Sequence, residues 1–207
     1  MATLTVSKED EKRVKALGFL SNKGTDNFSG RIVTRNGKIT ADQQSAIGEA
    51  AKKFGNGNVT YTTRLTVEVQ GIPYEKIDEF RAFIQEAGLD TGGTGSKVRP
   101  VVSCKGTTCQ YGLIDTFALS EEIHEKFYVG YHGVKLPHKF KIAVGGCPNN
   151  CVKPNLNDLG IIGQMIPNYD EDLCNGCKKC GVVKACPVGA VSVVDGLMEI
   201  DKDKCIN

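Results

Sequence analysis

An α+β fold laid out in successive modules is what this 207-residue sequence predicts. Segments rich in β-branched residues alternate with helical apolar stripes between residues 28 and 88. Two later strand-like segments, VRPVVSC and KFKIAVGG, each run straight into a pair of cysteines. From Pro167 onward the composition changes to a compact run of Asp, Cys, Lys and Gly, the mark of a small separate module.

The elements follow in order. Residues 7–17 start with Ser7 as an N-cap, carry acids in the first turn and stop before Gly18, which reads as a short peripheral helix. FSGRIVTR alternates as a strand, NGK supplies a turn, and Thr40 with Gln43 has capping-box spacing ahead of Ala46, Ile47, Ala50, Ala51 and Phe54. NVTYTTRLTVEVQ, residues 58–70, alternates and is rich in β-branched residues, so one strand is expected there. Pro73 can open the next helix, with Ile77, Phe80, Phe83, Ile84 and Ala87 as its stripe and Gly88 as its stop. Residues 28–88 therefore read β-α-β-α. The tract DTGGTGSK, 90–97, matches neither a dinucleotide fingerprint nor a P-loop and reads as a linker at a boundary. Beyond it come a strand at VRPVVSC, a helix over 113–128 carrying Ile114, Phe117, Ala118, Ile123 and Phe127, and strands at KFKIAVGG and LGIIGQM. His124 and His132 read as surface residues.

With 26 Lys and Arg against 24 Asp and Glu the formal charge is +2, and no long run of one sign points to nucleic acid or a membrane surface. No apolar stretch approaches the roughly 20 residues that span a bilayer, and the charged start SKEDEKRVK is unlike a signal peptide. A cytoplasmic protein is expected. All nine cysteines fall after position 100, and that compartment keeps thiols reduced, so metal or cluster ligation explains them better than disulfides do.

LCNGCKKC places Cys174, Cys177 and Cys180 in C-x2-C-x2-C spacing, with Cys186 and Pro187 beyond. Thiolates this close can wrap three corners of a cubane cluster and take the fourth from elsewhere. A zinc ribbon is the rival, but it wants two separated C-x2-C knuckles. Five residues, GVVKA, precede Cys186, where the bacterial ferredoxin pattern has about three. Cys104 and Cys109 in VSCKGTTCQ, with Cys147 and Cys151 in GGCPNNC, form two further pairs. Four thiolates arriving this way can close around one 4Fe-4S cluster, with Gly145, Gly146 and Pro148 letting backbone approach the inorganic core. Buried, unliganded cysteines are the plainer alternative.

The run from Tyr169 through DKDKCIN resembles a bacterial two-cluster ferredoxin module. In that family Cys186 would serve the other cluster and DKDKCIN opens a second cysteine run; the sequence stops at Asn207, one residue before the next cysteine is due. The resemblance implies a fragment in which Cys205 or Cys186 must complete a ligand set. GGCPNNCVKPNLNDLGIIG resembles the cluster signature of sirohaem-dependent sulfite and nitrite reductases, and VSCKGTTCQ resembles the pair that precedes it. This resemblance implies that Cys104, Cys109, Cys147 and Cys151 hold a 4Fe-4S cluster and that Cys151 bridges it to the sirohaem iron.

NVTYTTRLTVEVQGIP, KVRPVVSC and KLPHKFKIAV resemble family segments whose basic residues surround the bound anion. They imply catalytic roles for Arg64, Arg99, Lys139 and Lys141, and cofactor contacts from Arg31, Arg64, Arg99, His138 and Cys151. Leu65 and His138 depart from the glutamine and arginine common at those positions. The chemistry is consistent: Arg offers a rigid fork of donors to sulfite or to sirohaem carboxylates, and Lys is a point charge that can deliver a proton. Lys139 and Lys141 lie one strand pleat apart and so face the same way.

The resemblance implies an N-terminal helical segment over 1–22, a ferredoxin-like half-domain over 23–92, a cluster- and sirohaem-binding mixed α/β domain over 93–166 and a ferredoxin-type module over 167–207. The activity it implies is reduction of sulfite to sulfide, or nitrite to ammonia, at sirohaem coupled to a 4Fe-4S cluster, in a single-repeat enzyme of the anaerobic or dissimilatory type. Electrons would come from an external donor such as a ferredoxin or an NAD(P)H-linked subunit. A second copy, or a related subunit, would complete the site; no nucleic acid or membrane partner is expected. The competing expectation is a non-catalytic iron–sulfur electron-transfer or assembly subunit without active sirohaem.

Overall fold

The computed structural model describes residues 6–206, so Asn207, on which the expectation of a fragment turns, lies outside the described residues. The chain divides into two compact units, Met1–Gly163 and Gln164–Asn207.

In the first unit, Ser7 caps α1 (Lys8–Ala16), its Oγ accepting from the Asp10 N–H at 3.1 Å. As expected of a peripheral helix, α1 buries only Val14, an apolar side chain among charged neighbours that can be buried without desolvating a charge. β1 (Phe19–Ser21) pairs antiparallel with β2 (Asn27–Val33). Arg35 then bridges Lys38 across Asn36 and Gly37, at φ 54° and 79°, the left-handed pair that a tight hairpin turn needs. The Thr40 hydroxyl accepts from the Gln43 N–H and the Gln43 side chain accepts from the Thr40 N–H, which starts α2 (Ala41–Phe54).

The single strand expected over 58–70 is a hairpin: β3 (Val59–Tyr61) pairs antiparallel with β4 (Val67–Pro73). Thr62 N–H donates to Thr66 O at 2.9 Å, the two threonine hydroxyls lie 2.7 Å apart, and Leu65 takes φ 58°. These threonines satisfy the strand pattern while their hydroxyls serve the turn, so alternation alone conceals it. Residues 28–88 are thus β-α-β-β-α. A 3-10 turn, Tyr74–Lys76, leads into α3 (Ile77–Glu86). The sheet order is β1-β2-β4-β3, and β5 (Asp90–Thr91) pairs with the far end of β2.

Fifteen buried residues form the core of this half, from Val14 to Leu89. Phe80 sits edge-on to Phe19 and Phe54 at centroid distances of 5.8 and 6.0 Å. Each such ring contributes about 1.5–3 kcal/mol through burial alone.

Next come three parallel strands, β6 (Val102–Ser103), β7 (Ile142–Gly145) and β8 (Leu159–Ile162), in the order β6-β7-β8. β6 is shorter than VRPVVSC suggests because Pro100 has no N–H to give a ladder, although Val98 still bridges Phe140. Asp115 caps α4 (Thr116–Ile123), which runs into a π-helical segment, His124–Val129. Thr116, Ser120, Ile123, His124 and Tyr128 face inward, while Phe127 is 43% exposed. His124, expected at the surface, is 5% exposed because it falls four and eight residues after Ser120 and Thr116, on the same inward face of the helix. The core here is small: Val98, Val101, Ile123, Ile142 and Val144.

The second unit contains α5 (Gly181–Ala185), which takes up the five residues between Cys180 and Cys186, and the antiparallel pair β9 (Val191–Val194) and β10 (Leu197–Ile200). Among the described residues no helix is long and apolar enough to cross a membrane.

Candidate functional site

Parallel strands bring their C-terminal ends together, and both cysteine pairs of the first unit start there. Cys104 follows β6 directly, and Cys147 stands two residues beyond β7. Gly146 N–H donates to Cys104 Sγ at 3.1 Å, Thr116 Oγ1 donates to Cys104 O at 2.8 Å, and Leu113 N–H donates to Gly146 O at 2.9 Å. A Cβ on Gly146 would meet Gly106 Cα at 2.9 Å, and one on Gly106 would meet Gly146 Cα at 3.0 Å. These glycines let one cysteine loop pack on the other, and Gly145 packs on Pro154. The second loop turns through Asn150 and Lys153, at φ 56° and 47°, which leaves Cys151 exposed while Cys104, Cys109 and Cys147 are half-buried.

The loops suit an iron–sulfur cluster in two respects. The donors are soft thiols, and the Gly146 amide already offers Cys104 Sγ a hydrogen bond of the kind that tunes cluster sulfurs. Ser103 Oγ and Asn150 Oδ1, beside Cys104 and Cys151, are buried without a partner. Among the described residues no three His, Cys, Asp or Glu side chains gather tightly enough to hold a single metal ion.

Basic residues collect at the other end of the same strands. Arg64, at the tip of the β3–β4 hairpin, donates from Nη1 to Pro100 O at 3.0 Å and from Nη2 to Asn157 Oδ1 at 2.6 Å. Arg31 and Arg99 both donate to Gly93 O, Arg31 at 3.1 Å, and Arg31 also pairs with Glu68 at 2.6 Å. Burial, with Arg99 adding repulsion, pushes the Arg64 pKa down; burial and then Arg31 do the same to Arg99. Arg99 Nε is buried with no partner. Three guanidiniums are thus held close together around Gly93 and Pro100, with one hydrogen-bonded carboxylate, Glu68, among them.

Lys141 N–H donates to Asp158 Oδ2 at 2.7 Å, and Asp158 also attracts Arg64. Phe140, between the two lysines, is held extended by Arg99 N–H to its carbonyl at 2.8 Å and by its own N–H to Lys97 O at 3.1 Å. Lys139 and His138 are exposed and Lys141 is half-buried.

The glycine tract read as a linker ties this group together. Gly92 N–H donates to Arg31 O and Gly93 N–H to Tyr128 Oη, both at 3.0 Å, and Thr94 Oγ1 donates to Lys15 O. The only signal for this in the sequence was the doubled glycine itself.

The arginines and lysines therefore lie at the N-terminal ends of the parallel strands, and the thiols at the C-terminal ends. The four residues of β7 separate them by about 13 Å at ~3.3 Å per residue.

In the second unit, Cys174, Cys177 and Cys180 line one cavity of about 470 Å³ with Tyr169, Leu173 and Met198. The amides of Gly176 and Met198 hold the Cys174 thiol below its usual range. Those of Val188 and Ala190, the latter at 3.3 Å from Sγ, do the same for Cys186. Neither Cys186 nor Cys205 lines that cavity; Cys205 lines another, of about 650 Å³, with Tyr169 and Glu199.

Known proteins match this architecture. Residues 21–87 match the family described as nitrite/sulfite reductase ferredoxin-like half domain, and 94–199 match the nitrite and sulphite reductase 4Fe-4S domain. An uncharacterised protein of Methanocaldococcus jannaschii is 36% identical over 155 residues, 75% of this chain and 54% of that one. The coenzyme F420-dependent sulfite reductase of the same organism is 37% identical over 139 residues, 67% of this chain and 22% of its own length. An anaerobic sulfite reductase subunit of Salmonella typhimurium is 32% identical over 178 residues, 77% of this chain and 50% of its own. The chain thus spans about half the length, or less, of these relatives. A crystal structure of dissimilatory sulfite reductase I shares the fold, with a TM-score of 0.67 at 21% identity over 87% of this chain and 48% of that one. With over half the chain matched by the second domain and the strands, thiols and arginines arranged as described, the chain belongs to the nitrite and sulphite reductase 4Fe-4S domain family.

Proposed function

We propose that the chain is a sirohaem-dependent reductase component that converts sulfite to sulfide, with nitrite to ammonia as the reaction the same cations would serve. The observation that supports this most is the partly buried group of Arg31, Arg64 and Arg99 in a chain that also carries two cysteine pairs on loops after neighbouring parallel strands. When bound, sirohaem coupled to a 4Fe-4S cluster supplies an iron with an open face for the anion and a store of electrons. Cys104, Cys109, Cys147 and Cys151 would hold the cluster, with exposed Cys151 as the thiolate shared with the tetrapyrrole. Arg31, Arg64 and Arg99, with His138 at the edge, would take the tetrapyrrole carboxylates and orient the anion. Lys139 and Lys141 would protonate each departing oxygen, which leaves as water, and offset the charge that builds on it.

In this reading 23–92 is the half-domain, 93–166 the cluster and sirohaem domain and 167–207 the module through which electrons enter from an external ferredoxin or NAD(P)H-linked donor. The setting is the reducing cytoplasm, where exposed thiols such as Cys151 and Cys177 persist.

A second reading, an iron–sulfur electron-transfer or assembly subunit without active sirohaem, is favoured by one observation: the arginines and the thiols of one copy lie at opposite ends of a sheet. Anaerobic purification of the full-length protein, with iron, acid-labile sulfide and extractable tetrapyrrole counted per chain, separates the two. Tetrapyrrole with its red absorption bands is expected; clusters without it would leave only the second reading. Cys151→Ser should abolish turnover and the coupling of the two chromophores while leaving α2, α3 and their sheet folded. Full activity in that variant would remove Cys151 from the bridging role.

A further inference from the structure

Gly93 O is the one atom on which Arg31 and Arg99 both converge, and its placement is over-determined. On one side the Gly92 N–H is tied to Arg31 O; on the other the Thr94 hydroxyl is tied to Lys15 O. Between them the Gly93 N–H is held by the phenol of Tyr128, 35 residues away, at 3.0 Å in a buried contact. Gly93 has φ 72°, and a Cβ there would meet Pro100 Cγ at 2.9 Å. A Cβ on Gly92 would meet Tyr128 Oη at 2.6 Å. A side chain at either position would force its neighbours to shift, so the phenol reaches bare backbone. Tyr128 is itself packed on His124, ring centroids 4.8 Å apart, so its hydroxyl is delivered by a fixed ring.

We infer that Tyr128 is a positioning residue for the anion site: by holding the Gly93 N–H, its hydroxyl anchors the glycine whose carbonyl both the Arg31 and Arg99 guanidiniums grip. The inference rests on the reading that these arginines bind the anion, and it deepens that reading by adding a residue that touches neither anion nor cofactor. The hydrogen bond competes with nothing else at Gly93, because that amide has no strand partner. Without it, the tract is still anchored by the Gly92 and Thr94 contacts, so the fold survives while the carbonyl is free to rotate. Two like charges then lose their common acceptor, and mutual repulsion between Arg31 and Arg99 drives them apart.

The test uses the full-length protein with Tyr128→Phe, which removes only the hydroxyl, and Gly92→Ala, which drives a methyl against it. Two readouts are taken: equilibrium binding of sulfite by calorimetry, and the arginine Nε–H resonances in ¹⁵N spectra. Both variants should bind sulfite roughly three- to tenfold more weakly than wild type, the range a single lost hydrogen bond supplies. Both should shift the Arg31 and Arg99 Nε–H signals and leave that of Arg13, held by Asp10 and Tyr74, in place. A structural role alone would lower thermal stability without moving those two signals selectively. Unchanged affinity and unchanged Arg31 and Arg99 signals in either folded variant would overturn the inference. If instead wild type binds no sulfite and Arg64→Ala with Arg99→Ala changes nothing, the anion-site reading fails, a result distinct from failure of the Tyr128 contact. Should Tyr128→Phe not fold, Gly92→Ala decides by the same two readouts.

Discussion

Lys139 and Lys141 flank Phe140 on an extended segment whose backbone is tied on both sides, so their side chains carry charge without carrying the fold. Replacing either with Met should leave iron and tetrapyrrole content near wild type and slow anion reduction by about 10²–10³, the usual loss for a donor aimed at developing oxyanion charge. Steady-state kinetics on the purified variants would check this, and wild-type rates in both would return the lysines to the solvated surface. Residue types at this site were legible because fixed charges in segments of recognisable pattern are local features of the text. Their partners were not: Arg64 meets Asn157 across 93 positions, and nothing near either residue announces the other. His124 shows the opposite failure, since a histidine flanked by Glu121, Glu122 and Glu125 looks solvated, yet it opens the π-helical segment on the same face as buried Thr116 and Ser120.

That π-helical segment, His124–Val129, has its own expected signature. Burial pushes the His124 imidazole below the usual 6.5, Arg35 pushes the same way, and Glu121 and Glu125 oppose them. Across the adjoining cavity it also faces Arg81, Asp90 and His132. The unfolded chain accepts a proton at the ordinary value, and the folded segment resists it until lower pH. The folded state's advantage is therefore complete above about 6.5 and is lost as pH falls through the depressed folded value. Urea midpoints should drop more steeply between about pH 7.5 and 5.5 for wild type than for His124→Asn. Parallel slopes would place the pH sensitivity elsewhere. Elements governed by local chemistry were readable in advance: the Ser7 cap, the Thr40–Gln43 box, the Asn36-Gly37 turn. Those set by long-range contacts were not. β5 forms because β2 offers it an edge, and the β3–β4 hairpin folds back inside a segment with unbroken strand character.

For the whole molecule, the separation of arginines and thiols by the length of β7 bears directly on assembly. We propose that a site needing both is completed by two copies, or by this chain and a related one, each lending opposite ends of its sheet. In the full-length protein, an Arg64→Ala/Arg99→Ala variant and a Cys147→Ser/Cys151→Ser variant should each be inactive alone. Co-refolded in equal amounts they should regain about a quarter of wild-type sulfite reduction, since half the dimers are mixed and each mixed dimer has one intact site. A fully active monomer in sedimentation would refute this. The two cores of the first unit are also unequal, fifteen buried residues under the antiparallel sheet against five under the parallel one. Amide exchange will therefore be layered: protons around β6, β7 and α4 trade with solvent through openings that leave β2, β4, α2 and α3 shut. Whatever binds only the closed form of that weaker lobe slows its openings, so exchange rates there report occupancy by cluster and anion. Helices α2 and α3, which carry none of the proposed site residues, meanwhile keep a constant clock, an internal reference built into the same chain.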